Sequence, residues 1–175
     1  MSFKYIIISI FSLVLLASNL PKNIQKKVDK EIRTTYTIET YNLLPLLFDK
    51  SITEVLPSKF GDNNLFKISS NDKVVGYAYV SKAPSKTDEF DYLVLFDTDF
   101  IIKKSKVLIY REDYGSEIGS KRWLKQLIGK KQNDELIYGD NIAAISGATI
   151  SVKSMTNAIN NLLKSIKILH QKELL

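Results

Sequence analysis

Apolar residues recur along this chain with two different periods, and the change between them separates a sheet from the helices that cover it. From Ser151 onward the apolar positions are Val152, Met155, Ile159, Leu162, Ile166 and Leu169, in steps of three and four. That spacing puts them on one stripe of a helix, with Lys153, Asn157, Asn160, Lys164 and Lys167 on the other side. A charged helix is predicted from Lys22 to about Thr35, its apolar face made of Ile24, Val28 and Ile32. Between these two, the period becomes that of strands. Leu65–Ser69 and Val74–Val80, joined through Ser70-Asn71-Asp72-Lys73, read as a hairpin. Phe90–Phe96 is a third strand and Ile101–Tyr110 a fourth. Several of these runs are apolar on both faces, which suits a sheet covered by helices on at least one side. Tyr41–Phe48 is also apolar, but Pro45 prevents it from being one continuous helix. After the polar loop Arg111–Gly119 a short helix is predicted, with Trp123, Leu124, Leu127 and Ile128 on one face and Gly129 as its stop. The pattern predicts a single α+β domain. Its mostly antiparallel sheet, Leu65–Tyr110, packs against the Val152–Leu169 helix.

The turn before that last helix is the stretch richest in chemistry. Ile142-Ala143-Ala144-Ile145 is a short apolar run suited to a buried strand or a tight approach, and Ser146-Gly147-Ala148-Thr149 follows it. Gly147 is free to take a positive φ, and Ala148 lets another group come close. Thr149 offers a hydroxyl near a helix start, where unpaired amides and the helix dipole favour an anion such as a phosphate. The same residues also make an ordinary turn into a helix, with Thr149 or Ser151 as a plain N-cap.

Composition narrows the chemistry further. At 175 residues, 45% hydrophobic and 10% aromatic, the chain suits one domain with a real core. The absence of cysteine excludes a thiol nucleophile, disulfides, cysteine-ligated iron–sulfur clusters and thioether-bound haem. The sole histidine, His170, lies near the C-terminus, so no metal site or catalytic triad built on histidine is expected. Redox chemistry in such a chain has to come from an organic cofactor. The net charge of +6 is scattered, with clusters at Lys22–Arg33 and Lys103–Lys106 and no nucleic-acid motif between them. Tyr5–Leu16 is almost wholly apolar and follows Lys4, as in the core of a secretory signal. Twelve residues are short for a span, and the far flank is the more basic one. Residues 1–20 are therefore read as a signal peptide or membrane anchor, with export to the periplasm or the extracytoplasmic face of the membrane as the expectation.

Ser146-Gly147-Ala148-Thr149-Ile150-Ser151 resembles the flavinylation motif of the FMN-binding domain family, whose members include the G subunit of Rnf complexes and the C subunit of the sodium-translocating NADH:quinone reductase. The order of strands, glycine-bearing loop, short helix and Gly-Ala-Thr turn is similar over roughly residues 60–170. The resemblance implies FMN held by a phosphoester to Thr149, installed by a separate flavin transferase. Ser146, Gly147, Ala148 and Ser151 complete the motif. Lys153 and the helix-end amides are candidates to hold the phosphate. Tyr77, Tyr79, Tyr92, Trp123 and Tyr138 are candidate platforms for the flavin ring, each equally readable as a core aromatic. Glu117 and Ser116 are candidates to reach the ring edge from their loop. Two departures stand out: Ala143 replaces an acidic residue common in the family, and Glu112–Gly119 replaces its Glu-Thr-Pro-Gly loop. The expected organisation is a helical N-terminal segment at 21–58 and the FMN-binding domain at 59–175. The expected function is that of an exported flavoprotein carrying electrons between membrane or periplasmic redox partners. The alternatives are a flavin-dependent reductase of a small substrate and a secreted binding module without a cofactor.

Overall fold

The computed structural model describes residues 20–61 and 63–175, so the apolar stretch Tyr5–Leu16 lies outside the described residues. Five strands form one antiparallel sheet in chain order: β1 (Asn42–Pro45), β2 (Leu65–Ser70), β3 (Lys73–Pro84), β4 (Glu89–Phe96) and β5 (Ile102–Ile109). The hairpin predicted between Leu65 and Val80 is β2–β3, turning through Asn71 and Asp72, both at positive φ. The sheet gains a strand that the pattern did not announce. Leu43 and Leu44 pair with Ile68 and Lys67, and Pro45 closes β1 at the sheet edge, where no inner ladder needs its missing N–H.

Helices cover both faces. The longest, which we label α4 once α1 (Lys22–Tyr36), α2 (Lys50–Thr53) and α3 (Lys121–Leu124) are placed, runs over Thr149–Gln171. Its predicted stripe is buried without exception: Val152, Met155, Ile159, Leu162, Ile166 and Leu169 meet Leu65, Tyr79, Phe90, Tyr92, Val94 and Phe96 of the sheet. On the opposite face, Ile24, Val28 and Ile32 of α1 pack on Phe66, Ile68, Ala78, Val80, Leu93 and Leu95. Alternate residues of β3 and β4 thus serve two cores, which is why these strands read as apolar on both faces. Gly76 makes the α1 contact possible. A Cβ there would fall 2.2 Å from the Phe96 carbonyl and 2.6 Å from the Tyr36 hydroxyl, which itself donates to that carbonyl.

Between β5 and α4 the chain is mostly irregular. A 3₁₀ turn (Ser116–Gly119), α3 and a second 3₁₀ turn (Lys125–Leu127) bury Ile118, Trp123, Leu124 and Leu127. Ile128 departs from the expected face and is 49% exposed, because the helix has already ended and Gly129 turns at φ 82°. The Gly129 amide then donates to the Ile102 carbonyl. Ile142–Ile145 is no strand. It makes a single parallel bridge, Tyr138 to Ile142, and only Ile142 is buried.

Candidate functional site

The site is the turn into α4, and long-range contacts fix its backbone from behind. The Trp123 indole N–H donates to the Ala143 carbonyl at 2.8 Å, and the Ala143 amide donates to Gln126 Oε1 at 2.8 Å. Farther along α4, the Asn160 side chain brackets Leu136 through both its amide and its carbonyl, at 2.9 and 2.8 Å. The irregular 131–148 stretch is held through side chains rather than a ladder, which meets the need to pair buried backbone groups. Gly147 takes φ 79°, and a Cβ at its position would meet nothing within 4 Å. The turn is therefore open toward solvent on that side.

Thr149 is the first residue of α4 and is exposed. Neither Thr149 nor Ser151 is the N-cap. Ala148 holds the cap position and offers no side-chain acceptor. The first backbone bond of the helix runs from Val152 to Ala148, leaving the amides of Thr149, Ile150 and Ser151 without an acceptor among the described residues. Uncapped amides at the start of a 23-residue helix, beside a free hydroxyl, make a place for an anion. Lys153 lies one turn along on the same side of the helix as Thr149. Its ammonium sits 5.1 Å from the centre of the Tyr138 ring.

Ser151 is turned inward. It is buried, and its hydroxyl lies 3.0 Å from the Tyr110 phenol, which donates to the Tyr114 carbonyl at 3.0 Å. Because a phenol has one proton, Ser151 is the donor in the first of these bonds. The residues of the β5–α3 loop are thus tied to the motif. Gly115, at φ 82°, packs so closely that a Cβ there would lie 3.2 Å from both the Ala148 Cβ and the Gly147 carbonyl. The same loop is pinned to the β3–β4 hairpin. Glu112 accepts from the Thr87 amide at 2.7 Å and from the Asp88 amide at 3.3 Å. The nearby Ser85 hydroxyl and these amides hold its carboxyl below the usual carboxylate range. Arg111 pairs with Asp91 and donates to the Glu89 carbonyl at 2.6 Å.

The structure brings together only part of the predicted set. Ser146, Gly147, Ala148, Thr149, Ser151 and Lys153 share the turn and the first helical turns. Ser116 and Glu117 are exposed in the 3₁₀ turn that follows Gly115. Tyr77 is elsewhere. It stacks on Phe100 at 4.0 Å, and Phe100 meets His170 edge-on at 5.2 Å. His170 lies 21 residues after Thr149 on the same helix, about 30 Å along the axis. Tyr79, Tyr92 and Trp123 are buried core aromatics, whereas Tyr138 is half-buried beneath Lys153. A cavity of about 470 Å³ lies on another flank of α4, between Tyr79, Tyr92, Ser154, Asn157 and Asn161, and no motif residue lines it. Two residues that the pattern did not single out, Tyr110 and Gly115, do the joining. Their signal was faint: a tyrosine ending a strand and a glycine in the loop after it.

Among known proteins, residues 86–164 match the model of the FMN-binding domain family. Among solved structures, NqrC from Shewanella oneidensis is similar to this chain at 20% sequence identity, with a TM-score of 0.47. The likeness covers 66% of this chain and 61% of that one, so this chain spans about three fifths of the length of that protein. No curated protein matches the sequence. The part of the chain that is similar to an FMN-binding domain runs from the β3–β4 hairpin through the Ser146–Thr149 turn into α4.

Proposed function

We propose that this domain holds FMN covalently, through a phosphoester to the Thr149 hydroxyl, and acts as an electron carrier on the extracytoplasmic side of a membrane. The observation that carries the proposal is the state of the α4 N-terminus: an exposed threonine hydroxyl beside uncapped amides, at a turn with open space around Gly147. These features fit a phosphate monoanion, and the helix dipole adds to them. Lys153 supplies a positive charge one turn further on. Bound FMN supplies the redox chemistry, accepting and passing on electrons. The chain's own residues fix where the cofactor is tethered, and the clamps from Trp123, Gln126 and Tyr110 hold that point still.

Attachment requires a separate flavin transferase in this reading. There is no cysteine, and the one histidine sits about 30 Å away at the far end of α4, so no side chain of these types activates Thr149. The resemblance of the motif to that of flavinylated electron carriers supports a role between membrane or periplasmic redox partners. Export rests on the apolar Tyr5–Leu16 stretch; among the described residues no helix is long and apolar enough to cross a membrane. The mature protein is then expected to begin near residues 18–22 or to stay attached through that stretch. The test is the intact mass of protein taken from its native host. The proposal expects a gain of one FMN less one water, localised to the Thr149 peptide. A mass with no flavin, or flavin on a different peptide, contradicts it.

A further inference from the structure

We infer that Tyr114 is the aromatic cover of the flavin ring. The inference rests on the reading that FMN is tethered at Thr149. Tyr114 is 83% exposed, the most exposed of the protein's large apolar and aromatic side chains among the described residues. Its backbone, by contrast, is fixed. The Tyr114 carbonyl accepts from the Tyr110 phenol at 3.0 Å, and the same phenol lies 3.0 Å from Ser151 Oγ in the first turn of α4. The two oxygens so bridged are at most about 6 Å apart. The next residue, Gly115, is seated on the Gly147–Ala148 turn. The backbone that carries this large ring is therefore held near the first turn of α4, while the ring itself makes no aromatic contact among the described residues.

The neighbouring aromatics are committed to one another. Phe90 lies 6.4 Å from Tyr92 inside the core and 6.0 Å from the half-buried Tyr110. Trp123 is buried with its N–H spent on Ala143. Of the aromatics on this loop and turn, Tyr114 alone presents a free face. Ile150, next to Thr149 in the chain, offers a second exposed apolar side chain at 51% exposure. A planar ring tethered to Thr149 by a phosphate and a ribityl chain reaches this patch and stacks on the phenol, removing apolar area of both from water.

Flavin fluorescence tests this directly, since a stacked phenol quenches an excited flavin by passing it an electron that then returns. The protein is flavinylated by co-expression with a flavin transferase, and wild type, Tyr114→Ala and Tyr114→Phe are compared by intact mass, thermal melt and fluorescence. A stacked pair of this kind corresponds to a roughly two- to tenfold preference for the closed arrangement. Fluorescence of Tyr114→Ala should rise by roughly the same factor, and iodide should quench it more readily. Tyr114→Phe should also brighten, because it lacks the electron-donating phenol, yet keep the ring shielded from iodide. If both variants carry flavin on Thr149, melt as wild type does, and match it in brightness and iodide access, Tyr114 does not cover the ring and the tether stands. If wild type carries no flavin, the tether and this inference fail together, and the mass says so before any fluorescence is read.

Discussion

Gly115→Ala tests whether the β5–α3 loop is seated on the motif turn as described. The substitution adds one methyl group, and two separate costs follow. Gly115 has φ 82°, and a left-handed conformation costs a residue with a Cβ about 1–2 kcal/mol. The new Cβ also falls 2.9 Å from the Tyr110 phenol oxygen and 3.2 Å from both the Ala148 Cβ and the Gly147 carbonyl. The phenol is the end of a side chain and is the first of these to move. Moving it weakens its bonds to Tyr114 and Ser151, worth about 0.5–1.5 kcal/mol each. The loop is partly exposed, so water recovers some of that loss. A total of roughly 2–3 kcal/mol follows. The assay is urea unfolding of the flavin-free protein, with Tyr110→Phe and the double variant completing a cycle. Because Tyr110→Phe removes the atom that the new methyl group meets, the two changes should couple by at least about 0.5 kcal/mol. A Gly115→Ala loss within about 0.5 kcal/mol, with additive behaviour in the cycle, refutes the packing of this loop on the turn.

Other outcomes follow from the same structure. Leu162→Ala or Ile159→Ala should cost roughly 2–5 kcal/mol in the same unfolding assay, since both side chains are fully buried under α4; a loss below about 0.5 kcal/mol would place the helix outside the core. Glu112 has its carboxyl held below the ordinary value of 4.5 by the Ser85 hydroxyl and the Thr87 and Asp88 amides. A depressed folded pKa gives stability that is present above that value and fades as pH falls through the folded one. Acid titration should therefore loosen the 110–115 loop below the ordinary carboxylate range, seen as faster amide exchange at Thr87 and Asp88. Glu112→Gln should remove that pH dependence, and an unchanged profile in the variant would show that another group is responsible.

The parts of the fold that were legible are those in which one face is buried over many residues. The α4 stripe, the α1 face and four of the five strands carry a regular period, and each lies where the period put it. Strand β1 escaped because four residues are too few to show a period, and Pro45 reads as a breaker before it reads as an edge. Ile128 was placed on a buried face because the pattern extended a helix that in fact ends at Leu124 and continues only as a 3₁₀ turn. At the site, the Ser146–Thr149 turn was legible as a local motif, since glycine, a small residue and a hydroxyl before a helix have a physical meaning in sequence. The clamps around it were not. Tyr110 and Ser151 are 41 residues apart, and Trp123 and Ala143 are 20 apart, with nothing periodic between them. Tyr77 looked like a flavin platform because it is aromatic and on a strand. Its place near the far end of α4 comes from stacking on Phe100, which reaches it from a turn at φ 57°.

The central claim, that Thr149 carries the flavin, is tested most directly by Thr149→Val made alongside wild type in cells that supply a flavin transferase. Valine keeps the shape and the β-branching and removes only the oxygen. Thr149 is exposed at the first position of α4, so unfolding should change by no more than about 0.5 kcal/mol. The measurement is flavin that stays with the protein after denaturation. Wild type should retain it, Thr149→Ser should retain part of it, and Thr149→Val should retain none while folding normally. Denaturation-resistant flavin on a folded Thr149→Val protein would contradict the assignment.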